Sequence, residues 1–337
     1  MPIKRKRALI FILISLIMTA TIVTTLIVLS KYIPFNTLKL GQINTGGETQ
    51  DVDVEGNMAY IVDTSENNLG GLFIIDVSNP RSPSLLGSFF DGGLSRKVDV
   101  VGNIAYLANT NLGLEVINVS NPSNPVKIDN YYGAVYDVQI IGDLAYLADW
   151  SRGLVILNVS DPYNVVEISN LNVAGSSPHL HVFNNTVCIV DHLSSYSSLR
   201  IINVSDPYHP VQLTNHAPSG IDYWNPFLEN NYIYVCNHGL NGGEVYILDI
   251  SNPIHIATIG SYDEASNIFA VYAQDNKLYL ADYDLGLIIL DISNPSSPIK
   301  IGHYFDGGHG TNLKIIGNIA YMADMDGGLE IIQILTI

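Results

Sequence analysis

The chain has 337 residues, 47% hydrophobic and 14% charged, with 28 Gly, 15 Pro and 20 Tyr. This composition excludes a disordered chain and is typical of a folded, turn-rich protein. The first acidic residue is Glu48, so the part after residue 29 has 11 Lys and Arg against 32 Asp and Glu, a net charge of −21. Such an acidic body should not bind nucleic acid or anionic lipid, because both require basic patches.

The N-terminal segment has the pattern of a membrane anchor. Four basic residues within residues 1–7 precede a stretch without charge at residues 8–29. We predict a cytoplasmic stub, a transmembrane helix acting as a signal anchor over 8–29, and a linker over 30–36, with the remainder outside the cytoplasm. The alternative is a cleaved signal and a secreted protein. The apolar run is longer than a signal-peptide core and no Ala-x-Ala site follows it, which favours the anchor.

A unit of about 42 residues recurs seven times after the linker. The clearest copy is GLIILDISNPSSPIKIG at residues 286–302. Each unit contains four short strand-like segments, and the first of them ends in a Gly-Asn type pair that indicates a hairpin turn. The third segment is a continuous apolar run, typical of a strand covered on both faces. The units start near residues 52, 98, 138, 180, 226, 271 and 313.

These repeats predict an all-β fold, a seven-bladed β-propeller of four-stranded antiparallel blades over residues 37–337. The seventh unit has three strand-like segments, and residues 37–43, TLKLGQI, match the fourth-strand pattern. We therefore expect this N-terminal strand to close the ring. A solenoid is the alternative architecture, but it requires distinct capping repeats, and none is visible in the sequence.

The repeated motif GLxIIDVSNPxxPxxIG, with its partner GNxAYLAD, resembles the LVIVD-repeat family of secreted or surface propeller-like proteins in prokaryotes. The resemblance covers about residues 37–335. It implies the propeller fold and a surface setting. It implies no reaction and no catalytic residues.

The loops that follow the second strands vary in length and composition, so we expect function on the rim that they form. One position near the start of the first strands is mostly polar, which predicts that it borders the central channel. Its seven residues are Asp51, Lys97, Asp137, His179, Asn225, Ala270 and Asn312. The candidate residues of the binding face are His179, His181, His192, His238, Trp150, Arg152, Trp224 and Tyr283.

A divalent metal site is an alternative use of the same region, because neutral imidazole suits zinc, copper, iron and nickel. Its candidate ligands are His179, His181, Asp191, His192 and His238. Chance clustering of nine His residues is the competing explanation. The recurring Asp at the end of the second strands, including Asp191, is expected to brace its loop through hydrogen bonds to the backbone.

Four glycosylation sequons occur, at Asn118, Asn158, Asn184 and Asn203. Three of them fall on a turn position where Asp and Asn alternate between units, which predicts turn capping. Asn184 falls in a hairpin turn and is the favoured acceptor. The two cysteines, Cys188 and Cys236, are expected to be buried, free thiols, because each lies on the same face of its own sheet and neighbouring blades meet through opposite faces.

No hydrolase elbow, zinc-protease motif, phosphate loop or dinucleotide glycine pattern is present in the sequence. The favoured function is a membrane-tethered binding scaffold at the cell surface, whose partner is a surface protein, a glycan or an envelope component. The alternative is a metal-dependent hydrolase or related enzyme with its site in blades four and five. The sequence requires no cofactor.

Overall fold

The structure, a computed structural model, describes residues 36–64, 70–90, 92–173, 176–193, 196–237, 243–305 and 307–335. The predicted transmembrane helix at residues 8–29 lies outside these ranges. Within them, no helix is long and apolar enough to cross a membrane.

The described part of the chain forms seven four-stranded antiparallel sheets, and each sheet is one blade. Written from the inner to the outer strand, blades one to four are β2 (Glu48–Glu55), β3 (Met58–Thr64), β4 (Gly71–Asp76), β5 (Ser84–Phe90); β6 (Ser95–Val101), β7 (Ile104–Asn109), β8 (Gly113–Asn118), β9 (Val126–Tyr131); β10 (Val135–Ile141), β11 (Leu144–Asp149), β12 (Gly153–Asn158), β13 (Val166–Leu171); and β14 (Ser176–Phe183), β15 (Thr186–Leu193), β16 (Tyr196–Asn203), β17 (Val211–His216). Blades five to seven are β18 (Tyr223–Glu229), β19 (Tyr232–Asn237), β20 (Glu244–Asp249), β21 (Ala257–Tyr262); β22 (Ile268–Gln274), β23 (Lys277–Asp282), β24 (Gly286–Asp291), β25 (Ile299–Tyr304); and β26 (Gly310–Ile316), β27 (Ile319–Asp324), β28 (Gly328–Ile334), β1 (Thr37–Ile43).

The N-terminal strand completes blade seven, as the sequence predicts. β1 pairs antiparallel with β28, from Thr37 opposite Ile334 to Ile43 opposite Leu329. This pairing covers the edge of β28, which would otherwise remain open. The inner strands contact one another in a closed cycle that runs through β2, β6, β10, β14, β18, β22, β26 and back to β2. The predicted seven-bladed propeller is confirmed.

The hydrophobic core lies between adjacent blades, and the third strands explain why. In β4, Leu72 and Ile74 pack in the cluster that contains Leu107 of blade two. The alternate residues Phe73 and Ile75 pack in the cluster shared with blade seven. Because successive side chains of a strand point to opposite faces, an apolar run without alternation covers both neighbours.

Both cysteines are buried and free, as predicted. Cys188 packs in the core between blades four and five, beside Val235. Cys236 packs in the next core, beside Leu280 of blade six. The two thiols therefore belong to different blade interfaces.

The turns on one face of the propeller are uniform. The first residue of each turn between the first and second strands has a positive φ, at Gly56, Gly102, Gly142, Asn184, Asn230, Asp275 and Gly317. Gly, Asn and Asp are the residues that adopt this conformation most readily. The turns between the third and fourth strands are capped by the alternating Asp or Asn. For example, Asp76 Oδ1 accepts the Ser78 N–H at 2.8 Å, and Asn118 Oδ1 accepts the Ser120 N–H at 2.9 Å.

Candidate functional site

A β-bulge near the start of each inner strand builds the opposite end of the channel, where the variable loops lie. In β6, Ser95 and Lys97 pair with the consecutive residues Asn109 and Ala108, so Arg96 is the extra residue. The same shift makes extra residues of Gln50, Tyr136, Phe269 and Thr311. In blades four and five, two residues of the inner strand lie between the pairs on either side of the register shift. A bulge re-aims a side chain, so two consecutive residues of one strand can face the same space.

The bulge residues surround a cavity of about 260 Å³, which we call the channel mouth. Four aromatic side chains and one imidazole form much of its wall. Both tryptophans of the chain line it, and Trp150 is 41% exposed. None of the twelve lining residues is acidic, although the chain has 32 Asp and Glu. The lining residues are Gln50, Arg96, Lys97, Tyr136, Trp150, Pro178, His179, Trp224, Asn225, Phe269, Thr311 and Asn312.

The rings of the mouth are held in stacks by their neighbours. Trp150 stacks on Tyr136 with ring centroids 4.7 Å apart, and the Arg96 guanidinium lies 6.0 Å from the centroid of the Tyr136 ring. Trp224 packs against His179 with ring centroids 4.6 Å apart, and it makes a T-shaped contact with His192 at 5.0 Å. These contacts orient flat apolar surfaces around an opening that solvent reaches.

A third stack lies on blades six and seven. Phe269 packs against Tyr283 at 5.4 Å, and Tyr283 stacks on His309 at 4.2 Å. The side of the mouth formed by blades seven and one is polar instead, with Thr311, Asn312 and Gln50. The mouth therefore has aromatic and polar sides.

The channel interior begins below the mouth and has a volume of about 310 Å³. It is strongly charged. Its four carboxylates and two ammonium groups are Asp51, Asp53, Asp99, Asp137, Lys97 and Lys314. Lys97 pairs with Asp51 at 3.3 Å, and Lys314 pairs with Asp53 at 2.8 Å.

The channel carboxylates join neighbouring blades. Asp53 Oδ2 accepts the Val100 N–H of the next inner strand at 2.8 Å, and Asp99 Oδ2 accepts the Ile140 N–H at 2.6 Å. An inner strand has no strand beyond it, so its outward N–H groups need side-chain acceptors or water. The carboxylates supply these acceptors.

Enclosure alters the ionisation of the channel groups. Burial raises the pKa of the Asp99 carboxyl to about 7, and the nearby Asp53 carboxylate adds to the shift. Burial also raises the pKa of Asp137 to about 6, against the opposing effect of the Lys97 charge. Burial lowers the pKa of His181 to about 3, with Lys97 adding to the effect. The neutral His181 accepts the Leu228 N–H through Nδ1 at 3.1 Å.

The structure separates the residues predicted for the binding face. Trp150, Trp224 and His179 line the channel mouth. Tyr283 and His192 lie behind it, in contact with Phe269 and Trp224. His181 lies in the channel interior, and His238 lies outside the described residues.

Arg152 does not line the mouth. Its Nη2 lies 2.5 Å from Glu167 Oε1, and it also donates to the Tyr131 hydroxyl. Its hydrogen bonds hold the pKa of Glu167 at about 2. Arg152 therefore ties the loop before β12 to β13 at the outer part of blade three.

The candidate metal ligands are not gathered into one site. Among the described residues, no three His, Cys, Asp or Glu side chains are placed to hold a metal ion. Asp191 is fully buried and forms a bidentate pair with Arg200, with both N–O distances at 2.9 Å, and it accepts from the Ser198 hydroxyl. Asp191 is thus held by side chains of β16, and the loop that it is expected to brace includes residues 194–195, which lie outside the described residues. In blade three, Asp149 braces the equivalent loop by accepting the Ser151 and Arg152 N–H groups at 2.9 Å.

The four sequon Asn residues fall into two groups, three that cap a turn and one that lies in a hairpin. Asn118, Asn158 and Asn203 each cap the turn through Oδ1. Asn184 lies exposed in its hairpin with φ of 54°. Its side chain is the more accessible acceptor.

Three residues that define the mouth, Arg96, Tyr136 and Phe269, are not among the sequence-predicted site residues. Each directly precedes a residue of the predicted channel position, and five members of that position line the channel interior. Simple alternation places consecutive residues on opposite faces. The bulge breaks this rule, and aligning the residue before the channel position across the seven units would have found them.

Comparison with known proteins identifies the repeat. A sequence model of the LVIVD repeat matches residues 46–91, 92–133, 132–173, 227–264, 270–306 and 307–334, which is more than half of the chain. The chain belongs to the LVIVD-repeat family. The LVIVD-repeat matches do not include residues 174–226, which hold blade four, His179 and Trp224. No curated protein sequence matches this LVIVD-repeat chain.

Solved structures resemble this LVIVD-repeat protein in fold alone. The WD40 β-propeller domain of Doa1 matches with a TM-score of 0.70 and 10% identity, covering 89% of this chain and 97% of that one. The Neurospora crassa Pan2 WD40 domain matches with a TM-score of 0.67 and 11% identity, covering 90% and 97%. The computationally designed Ika8 protein matches with a TM-score of 0.60 and 11% identity, covering 88% and 99%.

Proposed function

We propose that this protein is a membrane-tethered, extracytoplasmic β-propeller that acts as a binding scaffold at the cell surface and holds its ligand at the channel mouth. Its partner is a surface protein, a glycan or another envelope component. The observation that carries the proposal is the aromatic wall of the mouth, which includes both tryptophans of the chain. Pockets that bind ligands combine apolar walls with a few polar groups in the same way.

The tether is inferred from the sequence. The basic stub and the uncharged stretch at residues 8–29 have the charge and length of a signal anchor. The acidic body is suited to an aqueous exterior. Release of the propeller by signal cleavage is the alternative arrangement, and it leaves the binding site unchanged.

The exposed rings of the mouth favour binding over a purely structural role. Trp150 keeps 41% of its surface exposed and is not part of the clusters that fill the core on either side of blade three. A large aromatic residue that adds little to the core is typical of a recognition surface. The channel carboxylates, in contrast, are engaged with the backbone of neighbouring blades.

The test is an array of glycans and peptides probed with the full-length chain and two variants. Trp150→Ala removes a mouth ring, and Tyr208→Ala removes a ring of similar exposure, 59%, from a turn on the opposite face. Both changes should alter the free energy of unfolding by about 1 kcal/mol or less, since both side chains are exposed. We expect Trp150→Ala to lose ligands that Tyr208→Ala retains. Ligands lost by Tyr208→Ala and retained by Trp150→Ala would place function on the other face.

A further inference from the structure

We propose that the channel mouth binds the terminal residue of an acidic sugar, a single pyranose ring that carries a carboxylate. This inference rests on the proposed function and names the class of ligand. The ring would lie against the aromatic wall, and the carboxylate would pair with Arg96.

The charges of the mouth favour an anion. The lining contains two cationic side chains and no acidic one, in a body whose net charge is −21 after residue 29. Lys97 is already paired with Asp51 at 3.3 Å. Arg96 is exposed and forms no ion pair with any residue in the described part of the chain. Its planar fork is suited to a carboxylate, which it can bind through two parallel hydrogen bonds.

The walls of the channel mouth favour a ligand ring that has both an apolar face and hydroxyl groups. Trp150 is 41% exposed and stacks on Tyr136, over whose ring the Arg96 guanidinium lies. Apolar C–H groups of a pyranose can pack on the exposed Trp150 ring. Gln50 and Thr311 bring an amide and a hydroxyl group to the other side of the mouth. These neutral donors and acceptors match the ring hydroxyls of a sugar.

The size of the mouth limits what can enter. Its volume of about 260 Å³ is just below the roughly 300–1,000 Å³ of pockets that enclose a drug-sized ligand. One ring fits, and the remainder of a longer chain would lie over the rim. A single negative charge also suits the site better than a polyanion, because the acidic body repels further charges.

Two other ligand classes use aromatic walls. A quaternary ammonium group binds aromatic cages through cation–π interactions, but the Arg96 guanidinium beside Tyr136 opposes a second cation there. A mononucleotide could stack its base and pair its phosphate with Arg96. The polar side of the mouth and the Arg96 guanidinium, which matches a carboxylate, favour the sugar. Binding of the nucleotide is a competing outcome of the test.

Both tryptophans line the mouth, so the intrinsic fluorescence of the full-length chain reports directly on its occupancy. The probes are methyl β-glucuronide with its neutral counterpart methyl β-glucoside, 3′-sialyllactose with its neutral counterpart lactose, and adenosine monophosphate. We expect each acidic sugar to change the fluorescence with an affinity at least about tenfold higher than its neutral counterpart, the usual effect of one charged hydrogen bond.

Variants assign the preference to Arg96. Arg96→Gln should abolish the tenfold advantage of the acidic sugars and leave the neutral sugars unchanged, and Arg96→Lys should restore part of it. Arg81→Gln is the matched control, because Arg81 is exposed in a turn on the opposite face and its loss changes the net charge equally. It should have no effect.

Several results would overturn the inference. They are the absence of a fluorescence change with both acidic sugars, equal binding of the neutral sugars, equal losses in Arg96→Gln and Arg81→Gln, or tighter binding of adenosine monophosphate. If another ligand from the array still binds in a manner that depends on Trp150, the proposed function stands without this ligand class. If ligands depend on Tyr208 instead, both proposals fail.

Discussion

The acidic residues of this chain have different roles that depend on where each lies. Asp76 caps an exposed turn, and its hydrogen bonds to Ser78 lower its pKa. Asp99 accepts a backbone N–H of the next blade inside the channel, where burial raises its pKa to about 7. Asp191 is buried against Arg200. The same side chain therefore stabilises the fold by capping, by joining blades or by ion pairing.

Asp99→Asn should make the protein more stable at pH 8 and leave its stability at pH 4 nearly unchanged. The folded-state pKa of about 7 is above the ordinary value of 3.8, so the folded chain holds an extra proton between these values and loses stability as pH rises through them. Asn keeps an oxygen for the Ile140 N–H without the buried charge. The gain at pH 8 should be on the order of 1–2 kcal/mol, less than the full shift implies, because the Asp99 residue keeps part of its surface exposed and solvent screens its charge. Urea unfolding at both pH values measures it.

Asp76→Asn is the control, because the pKa shift of Asp76 has the opposite sign to that of Asp99. Its pKa is lowered in the folded state, so its ionisation favours folding above the ordinary value and the substitution should bring no gain at pH 8. A loss of stability in Asp99→Asn at pH 8, or the same change at both pH values, would contradict the assignment of the Asp99 pKa.

The sequence predicts individual residues well where their role is local. The turn caps follow from the alternation of Asp and Asn, and Trp150 and Trp224 follow from their place near variable loops. Arg96, Tyr136 and Phe269 could not be predicted by strand alternation, because the bulge that turns them to the channel depends on the register of two strands. The Asp191 pairing also depends on a neighbouring strand, where Arg200 replaces the apolar residue or Glu found at equivalent positions such as Val155 and Glu115.

At the scale of the strand, the recurring Gly of the fourth strands has a packing reason. A Cβ added to Gly87 would lie closer than 3.0 Å to the carbonyl oxygen of Pro122, in the Ser-Asn-Pro turn of the next blade. Gly260 meets Pro295 in the same way. In blade three, Ser169 takes this position, and its hydroxyl donates to the Pro207 carbonyl at 2.6 Å. The outer strands of these blades therefore carry a small residue where they meet a backbone carbonyl of the next blade.

Gly87→Ala should destabilise the protein by about 1–3 kcal/mol, because the methyl group meets a backbone carbonyl that cannot move without shifting the turn. Gly302→Ala is the matched control. The Cβ added at Gly302 would meet side-chain atoms of Ile289 at 3.0–3.2 Å and not a backbone carbonyl below 3.0 Å, so this variant should lower the free energy of unfolding by less than Gly87→Ala does. Thermal or urea unfolding compares the two variants. Equal effects would mean that the contact between blades does not explain the recurring glycine of this strand.

Strand type and order could be predicted from the sequence because each unit repeats the same apolar run and turn residues. Closure could also be predicted, since residues 37–43 match the fourth-strand pattern and pair with β28. The depth of the channel and the pairing of the charged groups inside it could not, because they arise where seven distant strands meet. Their pairing partners are separated by about one repeat or by nearly the whole chain, as for Asn312 and Asp51 at 2.5 Å.

At the scale of the whole molecule, the closed ring divides constant from variable features. The interfaces between blades and the turns of one face repeat from unit to unit, and the channel mouth collects a different side chain from each blade. Blade four departs furthest, with its buried Arg200 and its place outside the LVIVD-repeat matches. A rigid frame with one variable opening is suited to recognition.

Amide hydrogen exchange of the full-length chain, measured by mass spectrometry with and without 3′-sialyllactose, tests the binding role of the mouth most directly. We expect slower exchange at the starts of β6, β10 and β18 and in the loop at residues 149–153, because these segments surround the mouth, and unchanged exchange in the Ser-Asn-Pro turns of the opposite face. Slower exchange confined to those turns or to the outer strands would contradict a ligand site at the channel mouth, and no change in any segment would contradict the acidic sugar as its ligand.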